Sequence, residues 1–202
     1  ALDIKPGQFI LIKISEEHKM FRAYSVSGIE EDGNIVKATI MKVEDGYGTS
    51  IIFNDFKEGD EVELKGPMGK ELIIDKNTDN VLLVAGGIGI TPFVPIVEDI
   101  IYNQNNINNI KLIYGVNHEE EFIYKNIFEK YEEIGEVFEF IPVVAFDEKW
   151  TGKKGFVTDV MDNMDLDQYK IYMCGPEAME KAARNLLEEK DVAEDNIFVE
   201  ST

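Results

Sequence analysis

Apolar positions change rhythm once along the chain. Up to residue 75 they fall in short β-branched or alternating runs. Alternation sends successive side chains to opposite faces of a strand. Strands are therefore predicted over Gln8–Ile14, Phe21–Ser27, Asn34–Val43 and Glu61–Lys65. Glycine turns separate them, at Pro6-Gly7, Asp32-Gly33, Asp45-Gly46 and Gly66-Pro67. This half reads as an antiparallel barrel or sandwich. From Asn80 the runs become continuous and alternate with longer amphipathic stretches. Strands are predicted over Val81–Ala85, Ile110–Tyr114, Val137–Ala145, Lys170–Cys174 and Ile197–Val199. Helices are predicted over Thr91–Tyr102, Glu119–Tyr131, Phe156–Met161 and Glu177–Lys190. The first of these helices opens on Thr-Pro, an N-cap followed by a first-turn proline. Buried strands alternating with helices give a doubly wound parallel sheet. The polar stretch Asp75–Asn80 divides the chain into residues 1–76, an antiparallel β domain, and residues 77–202, an α/β domain.

Composition narrows the function. The 202 residues are 44% apolar, enough for a core in each half, and carry a formal charge of −20 with a pI near 4.4. So acidic a surface repels nucleic acid and anionic membrane, and neither is expected as a partner. A phosphate-bearing ligand must then be held by local amides and a few placed cations. The single cysteine, Cys174, can form no internal disulfide and cannot ligate an iron–sulfur cluster. His18 and His118 have no companions at metal-ligand spacing, so no metal is expected. No apolar run reaches the ~20 residues of a membrane span, and a thiol-poor acidic chain suits the cytoplasm.

Four segments carry candidate chemistry. Ala85-Gly-Gly-Ile-Gly-Ile-Thr-Pro92 follows an apolar strand and opens a helix. Glycines there let a phosphate approach the backbone, and the helix start supplies free amides; a tight packing turn would look the same. In Phe21-Arg-Ala-Tyr-Ser25, Arg22 offers a planar donor fork and Tyr24, two positions on, an aromatic platform on the same strand face. A surface arginine beside core aromatics fits equally. Asp45-Gly-Tyr-Gly-Thr-Ser50 can cap a short helix as an anion nest or be an ordinary turn. Met173-Cys-Gly-Pro-Glu-Ala178 ends a strand at the carboxyl edge of the parallel sheet, where such folds bind ligands. No histidine or lysine lies near Cys174 in sequence to make it a thiolate.

The order and spacing of these segments, with Pro6-Gly-Gln-Phe9 and Gly66-Pro-Met-Gly69, resemble the ferredoxin–NADP reductase-like family over nearly the whole chain. The resemblance implies an antiparallel flavin-binding barrel followed by an α/β nucleotide domain. It implies that Arg22 holds a flavin phosphate, that Ala23, Tyr24 and Met41 line the flavin, and that Ser25 approaches the reactive ring nitrogen. The amides of Gly48, Thr49 and Ser50 would bind the diphosphate. Gly87, Gly89, Thr91, Pro92, Gly115, Gly175 and Pro176 would cradle the nicotinamide nucleotide, with Cys174 tuning placement of the ring. Glu200 matches a terminal carboxylate that serves the proton network, and Thr202 stands where relatives carry an aromatic. FAD is the family's default flavin, with FMN the alternative. NADH is favoured over NADPH, because the loops Gly115–Glu121 and Ala145–Lys149 carry carboxylates, Asp147 among them, that repel an extra phosphate and can accept from a ribose hydroxyl. Lys153 and Lys154 are the residues that argue the other way.

Such barrels carry two strands before the Pro-Gly-Gln-Phe segment, whereas Pro6 is preceded by five residues. The flavin domain is therefore expected to be N-terminally shortened, with its edge completed by a fused neighbour or a partner chain. The activity implied is an NAD(P)H-dependent flavoprotein reductase delivering electrons to an external redox protein or fused acceptor domain; a neutral or basic acceptor docks more easily on this surface. A non-autonomous subunit, similar to the one serving dihydroorotate dehydrogenase, and a nucleotide-binding regulatory module are the alternatives.

Overall fold

The fold comes from a computed structural model, which describes residues 2–15, 17, 19–75, 77–103 and 107–201. The alternating first half forms β1 (Phe9–Ser15), β2 (Met20–Glu30), β3 (Ile35–Ala38) and β4 (Leu64–Met68), with helix α1 (Tyr47–Asp55) between the last two. The strands pair antiparallel in the order β3-β2-β1-β4. Among the described residues this is an open sheet with two edges, not a closed barrel. Its core is small: Ile4, Ile10 and Val26, with Ile12, Ile29 and Val36 packed against them.

The second half contributes β5 (Asn80–Gly86), β6 (Asn109–Val116), β7 (Phe138–Val144), β8 (Lys153–Lys154), β9 (Lys170–Gly175) and β10 (Ile197–Ser201). Its helices are α2 (Phe93–Tyr102), α3 (Lys125–Ile134), α4 (Val157–Asp162) and α5 (Glu177–Glu189). The strands are parallel in the order β10-β9-β5-β6-β7-β8. Both faces are covered, which explains the uninterrupted apolar runs. Leu83 and Ala85 pack with α2 and α3 on one face, and Leu82 and Val84 with α4 and α5 on the other. The chain steps from β5 to β6 and β7 on one side and to β9 and β10 on the other. That reversal opens a crevice at the carboxyl ends of β5 and β9. The halves meet where α2 packs along β2 and where Leu72 enters the core of the α/β half.

Three expected elements differ. The strand expected over Glu61–Lys65 starts at Leu64 and runs to Met68, through the Gly66-Pro67 expected as a turn. The helix expected over Glu119–Tyr131 begins only at Lys125. Glu119–Glu121 form a 3₁₀ turn, and Tyr124 takes a left-handed backbone, φ 61°, which no helix accommodates. Phe122 and Ile123 pack as loop against the core. The strand expected over Asn34–Val43 leaves the ladder after Ala38, and Thr39 turns its hydroxyl to Ser27 and Tyr124.

Candidate functional site

β2 places four of the expected residues. It pairs with β1 so that Ser25 lies opposite Phe9, Tyr24 opposite Ile10 and Arg22 opposite Ile12. Alternation puts Arg22 and Tyr24 on one face and Ala23 and Ser25 on the other. Ser25 reaches across to the second half: its Oγ donates to Glu200 Oε1 at 3.0 Å. Register pairs Glu200 on β10 with Cys174 on β9. Two chain segments 175 residues apart thus close over one point at the seam. Burial pushes the Glu200 carboxyl above its ordinary value and the charge of Glu71 adds to this, while the Ser25 hydrogen bond opposes both. Glu200 Oε2 is buried without a partner. Gly69 lies against it, since a Cβ there would stand 3.4 Å from that oxygen. Cys174 is 1% exposed, and burial, then Glu200, raise its thiol pKa. It is a packed, protonated thiol, not a nucleophile.

Arg22 faces the start of α1. Its stem packs on Gly48, where a Cβ would sit 3.3 Å from Arg22 Cγ, and its guanidinium donates to the Phe21 carbonyl at 3.1 Å. Thr49 Oγ1 folds the approach to α1 by accepting the Val43 amide at 3.2 Å. The first helical turn leaves the amides of Gly48 and Thr49 without intrahelical acceptors. Ser50 differs from expectation: its amide already donates to the Gly46 carbonyl at 2.9 Å. Burial raises the Tyr24 hydroxyl pKa, with Arg22 opposing. Met41 is exposed on the stretch between β3 and α1.

A cleft of about 530 Å³ opens at the carboxyl ends of the parallel strands, within the range of small-molecule sites. Gly87, Gly115 and Pro176, all expected, line it, and Asn117, Glu121, Gly155, Phe156 and Met179 join them. Gly87 turns with φ +52° and faces open space. Gly89 and Thr91 are buried behind the cleft wall, as are Pro92 and Gly175. A Cβ on Gly89 would lie 2.2 Å from the Cys174 carbonyl oxygen, so this glycine exists for close strand packing. Asp147 is not in the wall; it accepts the Lys149 amide at 2.9 Å. Glu121 accepts the Asn117 amide at 3.0 Å, which fixes the lip after β6. Lys154 donates to the Glu148 carbonyl at 2.9 Å. The lining residues beyond the glycine turns come from the segments after β6, β7 and β8, the start of α4 and the face of α5, which no single sequence window joins. Gly155, between two lysines and a phenylalanine, was the available signal. His118 is exposed beside Phe146, ring centroids 6.4 Å apart. His18 and Thr202 lie outside the described residues, as does Lys76 at the expected boundary. Among the described residues no helix is long and apolar enough to cross a membrane.

Two family models match the chain. The family model for an oxidoreductase FAD-binding domain matches residues 1–72, and that for an oxidoreductase NAD-binding domain matches residues 83–185. The electron transfer subunit of dihydroorotate dehydrogenase B (NAD(+)) from Fusobacterium nucleatum is 34% identical over 194 residues, spanning 91% of this chain and 69% of that protein. The toluate 1,2-dioxygenase electron transfer component of Pseudomonas putida is 29% identical over 197 residues, spanning 96% and 57%. Among solved structures, the ferredoxin reductase in carbazole 1,9a-dioxygenase aligns with a TM-score of 0.83 at 27% identity, covering 98% of this chain and 60% of that one. A Neisseria gonorrhoeae ferredoxin NADP+ reductase with bound FAD and NADP shares the fold, with a TM-score of 0.83 at 23% identity over 98% of this chain and 87% of that one. The chain spans 57% to 69% of the length of these two curated relatives. An antiparallel flavin-type half, a doubly wound nucleotide half and the two matching domain models together place the chain in the ferredoxin–NADP reductase-like family of FAD- and nicotinamide-binding oxidoreductases.

Proposed function

We propose that the chain takes a hydride equivalent from NADH onto a bound FAD and passes electrons to an acceptor protein or fused acceptor domain. The observation that carries this reading is the seam at which Ser25, Glu200 and Cys174 converge, beside the nucleotide cleft. The residues fit both cofactors. A Cβ at Gly48 would crowd Arg22 over the amides that start α1, and the cleft is floored by glycines. Glu200 Oε2 is buried without a hydrogen-bond partner beside Gly69, at the seam a flavin would occupy. The bound flavin supplies the conversion between two-electron and one-electron chemistry.

The chain's own residues supply position and protons. Arg22 gives a charge-assisted contact to an anionic phosphate, and the Gly48 and Thr49 amides extend it. Tyr24 shares the Arg22 face and packs along a ring. Ser25 presents a hydroxyl whose proton is held by Glu200. With its raised pKa, Glu200 can keep or return a proton near neutrality better than an exposed carboxylate. Cys174 closes the floor and excludes water. Gly87 and Gly115 let a nucleotide lie against the backbone, and the Gly89–Thr91 turn sets the wall.

Glu121 at the cleft lip supports NADH over NADPH, since a carboxylate there accepts from a ribose hydroxyl and repels a phosphate. Lys154, committed to the Glu148 carbonyl, does not oppose it. The open edges at β3 and β4 support completion of the sheet by strands from outside residues 2–201, of this chain or a partner. Similarity to a dihydroorotate dehydrogenase electron transfer subunit favours a second form of the reading, in which the acceptor is a partner subunit. With one cysteine, these 202 residues relay through flavin alone. We place the reaction in the cytoplasm and the division between flavin and nucleotide halves at residues 76 and 77. The test is anaerobic bleaching of the FAD-loaded chain. NADH should bleach it faster than NADPH. A chain that cannot be loaded with FAD overturns the redox reading, and faster bleaching by NADPH overturns the choice of nucleotide.

A further inference from the structure

One face of β2 grips the nucleotide half at two points. The first is Ser25 on Glu200. The second begins two residues on at Ser27, where the register of β2 against β3 shifts between Val26 and Gly28. Ser27 is buried, and its hydroxyl shares a hydrogen bond of 3.1 Å with Thr39 Oγ1. Thr39 Oγ1 in turn bonds the Tyr124 hydroxyl. Three hydroxyls thus run from the flavin-binding sheet to the loop between β6 and α3. These two polar contacts add direction to the apolar seam where α2 packs along β2 and Leu72 enters the larger core.

The Tyr124 end of the chain is tied to the cleft. Residues 117–124 start at Asn117 and include Glu121, both cleft-lining, and Glu121 accepts the Asn117 amide. The Ile123 amide donates to the buried Tyr114 hydroxyl at 3.4 Å. Tyr124 adopts a left-handed backbone, φ 61°, and its ring packs against the larger core. A non-glycine residue holds that conformation only when its surroundings over-determine it. One loop therefore lines the nucleotide cleft at one end and holds the flavin half at the other.

We infer that Tyr124 is a positioning residue which, through Thr39 and Ser27, sets the flavin half against the nucleotide cleft, so that filling the cleft is felt at β2. The inference rests on the functional reading above and adds to it. Transfer between two held groups depends steeply on their separation. A link that fixes one half against the other should therefore act on the rate of the bound complex more than on binding.

The experiment uses the full FAD-loaded chain, with Tyr124→Phe removing one oxygen and keeping the ring, and Thr39→Val as an independent second variant. Anaerobic stopped-flow with NADH reads the limiting rate of flavin bleaching, the apparent Kd for NADH, and the long-wavelength absorbance of the flavin–nicotinamide pair. The limiting rate should fall about tenfold in either variant, with Kd changed by less than about twofold and the long-wavelength band weakened. The double variant should be no worse than either single one. Hydrogen exchange gives a readout independent of turnover. NAD+ should protect amides of residues 26–39 in the native chain, and this protection should be lost in Tyr124→Phe. A limiting rate and transmitted protection like those of the native chain overturn the inference, whatever the melting temperature does. A rise in Kd at unchanged limiting rate overturns it too. Failure of the native chain to take up FAD or be bleached would instead overturn the functional reading.

Discussion

Gly87 and Gly89 stand two residues apart in one turn and should fail in different ways when each is changed to alanine. At Gly89 the added Cβ would lie 2.2 Å from the Cys174 carbonyl oxygen, 2.5 Å from its carbon and 2.7 Å from the Gly175 Cα. All three neighbours are backbone of β9, so no side chain can swing away. Reaching ordinary contact at 3.4 Å requires the turn and β9 to part by about 1.2 Å. Both belong to the centre of a close-packed sheet, where overpacking of this kind costs about 3 kcal/mol. For a chain of this size that lowers Tm by about 6–12 °C. Gly87 has nothing within 4 Å of its would-be Cβ. Its cost is the left-handed backbone alone, about 1 kcal/mol or 2–4 °C. The Gly87 methyl does, however, project into the cleft, and should weaken NADH binding about tenfold. Thermal unfolding of the two variants, with NADH titration of the Gly87 variant, separates the roles. A Gly89→Ala chain melting within about 2 °C of the native one would refute the packing argument. Gly87→Ala that keeps full affinity would refute the placement of the nucleotide.

Two further outcomes follow from the seam and the phosphate side. Arg22→Ala removes an exposed guanidinium, so stability should change by no more than about 0.5 kcal/mol. FAD retention should weaken about ten- to a hundredfold, the loss of one charge-assisted contact, as measured by equilibrium dialysis; unchanged retention sinks the assignment. Glu200→Gln tests burial of the carboxylate. Because burial and Glu71 raise its folded-state pKa, the native chain gains stability as pH falls into the ordinary carboxylate range and loses it as pH rises through the raised value. Glutamine keeps an acceptor for Ser25 without that slope, so the Tm advantage of the variant should grow from acid to neutral pH. A pH-independent difference would contradict the raised value.

The parts legible in the sequence were those written in one window. The apolar runs at 81–85 and 110–114 and the Gly86–Pro92 turn name a strand, a strand and a helix start without tertiary information. The resemblance brings Ser25 and Glu200 separately to the flavin, but their bond was not legible, because nothing local links positions 175 residues apart. Residues 119–131 read as helix because Ile123 and Tyr124 keep helical spacing with Ile127, Phe128 and Tyr131. Three consecutive glutamates and the left-handed Tyr124 divert the chain before α helical hydrogen bonds form. Ser50 was credited with an open amide that the helix itself consumes. Which amides stay free depends on where the first turn begins, and composition does not set that to within one residue.

The charge of the molecule makes the case for Arg22 stronger than its motif does. An acidic chain must concentrate its few strong anion binders where anions are wanted. Only two guanidinium groups are available. Arg184 is committed on α5, its Nε to Glu180 and its Nη1 to Glu194, each at 3.1 Å. Arg22 lies on Gly48 at the start of α1, with its head on a backbone carbonyl. Of the two planar forks, one ties a helix to the loop that follows it, and the other stands beside the amides left open at a helix start. An anionic cofactor phosphate bound as proposed would find its guanidinium and the Gly48 and Thr49 N–H groups at the same place, on the face that Tyr24 shares. That is also the half of the molecule that Ser25 and Ser27 fasten to the nucleotide cleft. On the proposed reading, phosphate recognition, ring placement and alignment of the two halves all fall to one strand, β2.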